Sequence, residues 1–323
     1  MGKLQDWMSH LQDNRKLVDL CLPASHDAGV YRDKQAGINP GTKACCQASN
    51  IWKQALAGSR VFDVRCFLRT TGVFKKKKTP TMGHFFKEGK DGYLGEYGGT
   101  LMSALEDAAF FLTSNPTEFL IFRIGHTKCT GNVAEALEQF RLAKGNVIHT
   151  GAQGNLAELQ VGQLRGKLFL VFDKEFNSNF KPGNKSGYYP YYKFDVETGT
   201  PQTGLTFCGK YSGGLSTALA PKSKNKGNWS AEGAVNIAHT ACEEHQGHAR
   251  DHLLWVYWQE TGGDVYKNTT AEKGMYARLD EFLSDIRDPK SKLPRPNVIG
   301  HDFVSETTCR KIAKMNPDVM NKF

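Results

Sequence analysis

The chain has 323 residues, of which 39% are hydrophobic and 23% charged, with a formal net charge of +9. This is the make-up of an ordinary globular protein that can bury a sizeable core, and no apolar run approaches the ~18 residues that a membrane-spanning helix needs. The opening residues lack the apolar segment of a signal peptide, no CxxC pair supports a zinc ribbon or a thioredoxin-type motif, and the excess of Lys and Arg favours anionic partners.

Residues 3–13 carry Leu4, Trp7, Met8 and Leu11 at helical spacing, which predicts a short leading helix. An apolar run over 17–22 predicts the first strand, closed by Pro23, which has no amide proton to give to a ladder. Ser25, His26, Asp27 and Gly29 follow directly. Helical signal over 44–57 leads to a strand over 59–67 on which Asp63 and Arg65 share one side. Charges on the inner side of a strand are costly unless paired, and an Asp with an Arg two places on can pair. The run Lys75, Lys76, Lys77 and Lys78 reads as a solvated loop or as a patch drawn to an anionic bilayer. A third strand is predicted over 79–86, with His84 near its end.

A helix over 101–113 stops before Asn115-Pro116, and residues 118–126 form a near-continuous apolar strand of the kind buried on both faces in a parallel sheet. Helix signal over 133–142 and an apolar strand over 164–173, ending at Asp173, come next. Residues 174–250 are irregular and rich in Gly, Asn, Lys and Ser. Strands return at 253–258 and 297–303, separated by a helix over 270–286, and a helix over 305–314 closes the chain. One further strand around 205–208 makes eight. Strands alternating with helices predict a parallel α/β fold, a single distorted (β/α)8 TIM-type barrel over 1–323 with its closure left open. The irregular middle reads as long loops on one face.

Polar groups gather at the predicted strand ends: His26, Asp27, Arg65, His84, His126, Asp173 and Asp302. Two imidazoles, a guanidinium and carboxylates suit acid–base cleavage of a phosphodiester. One His deprotonates the attacking hydroxyl, the other protonates the leaving oxygen, and the Arg holds the phosphate. The pattern lacks an acidic cluster suited to Ca²⁺, so neither a metal nor another cofactor is expected.

Three stretches, Leu22-Pro23-Ala24-Ser25-His26-Asp27-Ala28-Gly29, Gly58-Ser59-Arg60-Val61-Phe62-Asp63-Val64-Arg65 and Asn115-Pro116-Thr117-Glu118-Phe119-Leu120-Ile121, resemble the X-domain of bacterial phosphatidylinositol-specific phospholipase C. Val298-Ile299-Gly300-His301-Asp302-Phe303 is similar to that family's last strand. The resemblance implies a distorted (β/α)8 barrel in which His26, oriented by Asp302, is general base on the inositol 2-hydroxyl. It implies that His84, assisted by Asp27, protonates the leaving glycerol oxygen, and that Arg65 stabilises the phosphate in place of a cation. The substrate would be a phosphoinositide-type phospholipid on an anionic membrane; the expected protein is a monomer that binds no nucleic acid and is secreted, with a cytoplasmic or delivered effector as the alternative. Asp63, His126 and Asp173 are the expected substrate contacts; the family's bacterial members place a Lys and an Arg where His126 and Asp173 stand.

Tyr188, Tyr189, Tyr191 and Tyr192 read either as packed over the barrel rim or, with the lysine run, as membrane contacts. Cys242, His245, His248 and His252 have spacings that a metal could use, although Gly247 argues against a rigid helix presenting them. The loop cysteines 45, 46, 129, 208 and 242 could pair in an exported protein. The rivals are a metal-dependent glycerophosphodiesterase or phospholipase-D-like barrel and a non-catalytic membrane-binding barrel.

Overall fold

The computed structural model describes residues 4–41, 44–71, 77–89, 92–127, 129–173, 176, 187–193, 203–208, 238–243, 252–258 and 275–323. In chain order the strands are β1 (Leu22–Ser25), β2 (Val61–Val64), β3 (Cys66–Thr71), β4 (Lys77–Gly89), β5 (Gly92–Thr100), β6 (Leu120–Ile124), β7 (Gly154–Asn155), β8 (Leu168–Phe172), β9 (Tyr188–Lys193), β10 (Thr203–Cys208), β11 (Leu253–Trp258) and β12 (Val298–His301). The helices are α1 (Ile51–Leu56), α2 (Leu101–Ser114), α3 (Thr130–Lys144), α4 (Val161–Leu164), α5 (Met275–Arg287) and α6 (Glu306–Ala313).

Strands β1, β2, β6, β8, β9, β10, β11 and β12 pair in that order, all parallel, and β12 returns to β1. Pairs Phe207↔Leu253 and Cys208↔Leu254 between β10 and β11 close the ring that the sequence left open. The outcome is the expected TIM-type barrel, with one change of membership. The strand predicted over 79–86 lies outside the ring, in an antiparallel sheet of β3, β4 and β5. Its place among the eight is taken by β9, whose Tyr-rich sequence reads as a strand only once β8 and β10 flank it. Pro23 sits within β1 rather than after it; the run before it forms a short 3-10 turn at Leu17–Asp19.

Strand alternation sorts the core. Leu22, Ala24, Val61, Ile121, Phe169, Val171, Tyr189, Tyr191, Leu205, Phe207, Trp255 and Tyr257 fill one cluster, the barrel interior. Phe62, Val64, Phe122 and Leu170 face outward onto α1, α2 and α3. The leading segment, Leu4–His10, is 3-10 rather than α, and it buries Leu4, Trp7 and Met8 against the interior cluster. Tyr188, Tyr189 and Tyr191 are buried, the last two among the interior residues, so these three are core residues and not membrane contacts. The side chain of Tyr192 lies outside the described residues. All eight cysteines are free and buried, which removes the disulfides considered for the loop cysteines. Cys242 packs in the core with Cys21 and Cys208, away from solvent, while His245 and His248 lie outside the described residues.

One buried ion pair ties the foot of the barrel together. The Arg60 guanidinium donates through Nε to Glu118 Oε2 at 2.8 Å and through Nη1 to the carbonyls of Ala55 and Ser59, both at 2.8 Å. Its Nη2 reaches the Gln5 carbonyl at 2.9 Å, and the group stacks over Phe111. Breaking a buried pair leaves one charge uncompensated. Glu118→Gln is therefore expected to lower the unfolding free energy by about 3–5 kcal/mol in urea denaturation; a loss below about 1 kcal/mol would show that the carbonyls alone hold Arg60.

Candidate active site

The C-terminal ends of the barrel strands bring the predicted groups together. His26 and Asp27 follow β1, Asp63 and Arg65 flank the end of β2, and Asp302 follows β12. Gln47, which sequence reasoning missed, stitches two of these ends. Its Nε2 donates to the carbonyls of His26 at 2.8 Å and His301 at 3.2 Å, and its Oε1 accepts from the Val304 amide. Among the described residues, three non-glycine residues have left-handed backbones, Asp27, His126 and Phe303, and each lies two places beyond a strand end at this mouth. Such strain persists where surrounding structure enforces it.

Both imidazoles are held at Nδ1 by a carboxylate. His26 Nδ1 lies 2.7 Å from Asp302 Oδ1, and His84 Nδ1 lies 2.6 Å from Asp27 Oδ2. The same Asp27 oxygen is 3.6 Å from His26 Nε2, so Asp27 stands between the two rings. Arg65 pairs with Asp27 Oδ1 at 2.8 Å and with Asp63 Oδ2 at 2.7 Å. The carboxylates are sealed, whereas the side chains of Arg65 and His84 are 21% and 34% exposed. Arg65 and His84 thus face the solvent side, where an anion would arrive, while His26 is buried behind them.

Burial opposes charge on Asp27, yet Arg65, His26 and His84 together hold its carboxyl far below the usual carboxylate range. Burial likewise opposes charge on His26, but Asp27 and Asp302 outweigh it and raise the imidazole above its ordinary value. Burial pushes the Asp302 carboxyl up, and the contact with His26 opposes that shift. His301, adjacent in sequence, is no part of this chemistry: burial lowers it to about 4, and its Nε2 is bonded to Thr308 Oγ1 at 2.9 Å.

Asp63, expected at the substrate, is instead buried beneath the site. Its Oδ1 accepts from Arg123 Nη1 at 2.8 Å and its Oδ2 from Arg65, so both oxygens are engaged by guanidinium groups. Arg123 is the residue that sequence reasoning passed over. It stands opposite Asp63 in the β2–β6 register, stacked over Tyr191 at 4.6 Å and Trp255 at 5.2 Å. A lone Arg in a continuous apolar strand was the available signal. His126 is exposed at the end of β6, and its amide donates to Asp173 Oδ2 at 3.0 Å.

His84 arrives from the antiparallel sheet, and glycine contacts dock it. The Gly99 amide donates to Gly29 O at 2.9 Å, and the Gly83 amide to Arg65 O at 3.1 Å. A Cβ on Gly98 would stand 1.8 Å from Gly29 O, and one on Gly29 would stand 2.2 Å from Met82 Cβ.

Fold and site define a closed parallel barrel with two imidazole–carboxylate pairs and a guanidinium at its C-terminal mouth. No family model matches the chain. Two curated relatives, the proteins named 1-phosphatidylinositol phosphodiesterase of Staphylococcus aureus strains Newman and NCTC 8325 / PS 47, are each 23% identical over 192 residues, 57% of this chain. The aligned part spans about half the length of these relatives, 54% and 51% respectively. Among solved structures, the phosphatidylinositol-specific phospholipase C of Listeria monocytogenes is 16% identical with a TM-score of 0.60, covering 98% of this chain and 99% of that one. A Staphylococcus aureus phosphatidylinositol-specific phospholipase C variant gives 0.56 at 16% identity, over 97% of this chain and 98% of that one. The fold is the one these phospholipases have.

Because the sheet that carries His84 is seated through Gly98, a methyl group there should lift it off the barrel mouth. Gly98→Ala is expected to displace His84 from Asp27 while leaving the barrel folded, and to lower any turnover that uses His84 by about 10²-fold, since misplacing a reacting group by ~1 Å costs that much. Circular dichroism and kinetics on one sample check this; wild-type turnover in Gly98→Ala would show that β5 docks elsewhere.

Proposed function

We propose that the chain is a phosphatidylinositol-specific phospholipase C, one catalytic barrel acting as a secreted monomer at an anionic membrane surface. The observation that carries this reading is the pair of imidazoles, each bound at Nδ1 to a carboxylate, on either side of Asp27 and beside the Arg65 guanidinium. The chemistry needs no metal in this scheme.

With its Nδ1 proton directed at Asp302, His26 offers Nε2 to the inositol 2-hydroxyl and takes its proton as the oxygen attacks phosphorus. Arg65 stabilises the charge that builds on the phosphoryl oxygens. His84, its Nδ1 on Asp27, gives a proton to the departing glycerol oxygen. A cyclic inositol phosphate and diacylglycerol result, with one imidazole gaining the proton that the other has lost. His126 and Asp173, adjacent at the mouth, are the proposed contacts to the inositol ring. Lys77 and Lys78 support the membrane role: both are exposed on β4, paired with Thr71 and Thr70 on β3, in the same sheet as His84. Lys75 and Lys76 lie outside the described residues.

His26→Ala should cut release of cyclic inositol phosphate from phosphatidylinositol vesicles by about 10²–10⁴-fold. Retained cleavage would remove His26 as the base, and loss of wild-type activity in EDTA would favour the metal-dependent rival. Catalysis needs His26 neutral while the folded protein favours its protonated form, so kcat/KM should rise with pH along an acid limb lying above 6.5. Asp302→Asn removes one carboxylate that favours the imidazolium; the acid limb should move to lower pH as the rate falls. A limb that stays in place would refute the pairing. Replacing Lys77 and Lys78 with Ser should weaken binding to anionic vesicles by roughly tenfold or more, each cation near the surface being worth about 1 kcal/mol. Unchanged sedimentation with vesicles would reject the contact.

A further inference from the structure

Cys46 has no part in the proposed chemistry, yet it sits against it. Its Sγ lies 3.8 Å from Asp27 Oδ2, the oxygen that Arg65 does not pair with, and ligand atoms of His26, Cys46 and Asp302 all lie within 4.8 Å of one another. All three residues are buried. They come from three segments, the end of β1, the loop before α1 and the end of β12, which Gln47 and the 2.7 Å bond from the Phe303 amide to Cys46 O hold in place.

We infer that His26, Cys46 and Asp302 form a binding site for one thiophilic divalent cation, of the Zn²⁺ or Cd²⁺ kind, whose occupancy switches off the chemistry proposed above. Tetrahedral zinc with sulfur at about 2.3 Å and nitrogen and oxygen at about 2.0–2.2 Å spaces its ligand atoms roughly 3.3–3.8 Å apart. Spreading the 2.7 Å contact between His26 and Asp302 by less than the width of an atom admits the ion. A second group, His26, Asp27 and Asp63, is as close-set, but the Arg65 guanidinium already lies between its carboxylates.

Charge permits occupancy. Three buried carboxylates, Asp27, Asp63 and Asp302, stand against two guanidinium groups, Arg65 and Arg123, and an imidazolium at His26. A divalent ion that takes the place of the His26 and Cys46 protons, both released to solvent, leaves the total charge of that group unchanged. The soft sulfur ligand selects zinc or cadmium over magnesium and calcium. An ion on His26 Nδ1 leaves the imidazole's single proton on Nε2, so no lone pair remains there for the attacking hydroxyl. The binding step stands by itself; the loss of activity rests on the function proposed above.

The test is titration of the full chain with CdCl₂, followed by the ultraviolet charge-transfer absorption of a cadmium–thiolate bond and by equilibrium dialysis. Wild type should take up one ion with that absorption. Cys46→Ser should lose the band and bind at least about tenfold more weakly, and Asp302→Asn should also bind more weakly. Cys45→Ser should behave as wild type. An absent band in wild type, or a band and affinity that survive in Cys46→Ser, overturns the site. Should Cys46→Ser fail to fold, as judged by circular dichroism, the Asp302→Asn and Cys45→Ser comparison decides by the same affinities. Cadmium-loaded wild type should cleave phosphatidylinositol vesicles at least tenfold more slowly than the metal-free protein, relieved by chelation; equal rates at saturating cadmium overturn the switch. If the metal-free protein cleaves no phosphatidylinositol at all, the proposed activity fails while the dialysis result still judges the site.

Discussion

Everything at the barrel mouth depends on keeping the Asp27 carboxylate charged inside the protein. A buried carboxylate is tolerated only where partners replace water. Asp27 has Arg65 on one oxygen, with His84 and His26 near the other. The same requirement runs inward: Arg65 leans on Asp63, Asp63 on Arg123, and Arg123 on the faces of Tyr191 and Trp255. Positive and negative groups alternate from the solvent edge to the centre of the barrel. Removing any one leaves a neighbour unbalanced, so the chain of charges fixes the rotamers of the groups at the barrel mouth.

The barrel is built to carry that chain. Its interior is packed with Phe169, Tyr189, Phe207, Trp255 and Tyr257, and the leading segment closes its foot with Trp7 and Met8. Gly300 lets the Trp255 indole lie flat against β12, since a Cβ there would stand 2.8 Å from its nitrogen. The aromatic filling gives Arg123 ring faces on which to rest, and these cost less than exposing a guanidinium to aliphatic carbon.

Much of this was legible in the sequence, because parallel strands announce themselves as apolar runs ending in polar residues. His26, Asp27, Arg65 and Asp302 were placed on that signal alone, and Glu118 to Gly125 read as a strand without ambiguity. What failed was the membership of the ring. β4 looks like a barrel strand because its spacing in the chain is right, and only pairing with β3 and β5 shows that it is antiparallel. β9 looks like a loop because Pro190 interrupts its tyrosines, although Pro is compatible with a strand whose neighbour does not need that amide. Asp63 was misread for a different reason: sequence shows that it shares a side with Arg65, and depth within the barrel is a property of register with β6.

The placing of His84 outside the ring has a consequence for how this protein can fail or vary. His26, Asp27 and Asp302 stand at the ends of ring strands, while His84 is delivered by a separate sheet that docks through Gly29, Gly83, Gly98 and Gly99 and through Cys66 and Met82 in the core. Closure of the ring and the position of His84 are therefore set by different contacts. A population of chains can be folded by every bulk measure and still contain members in which His84 has left Asp27.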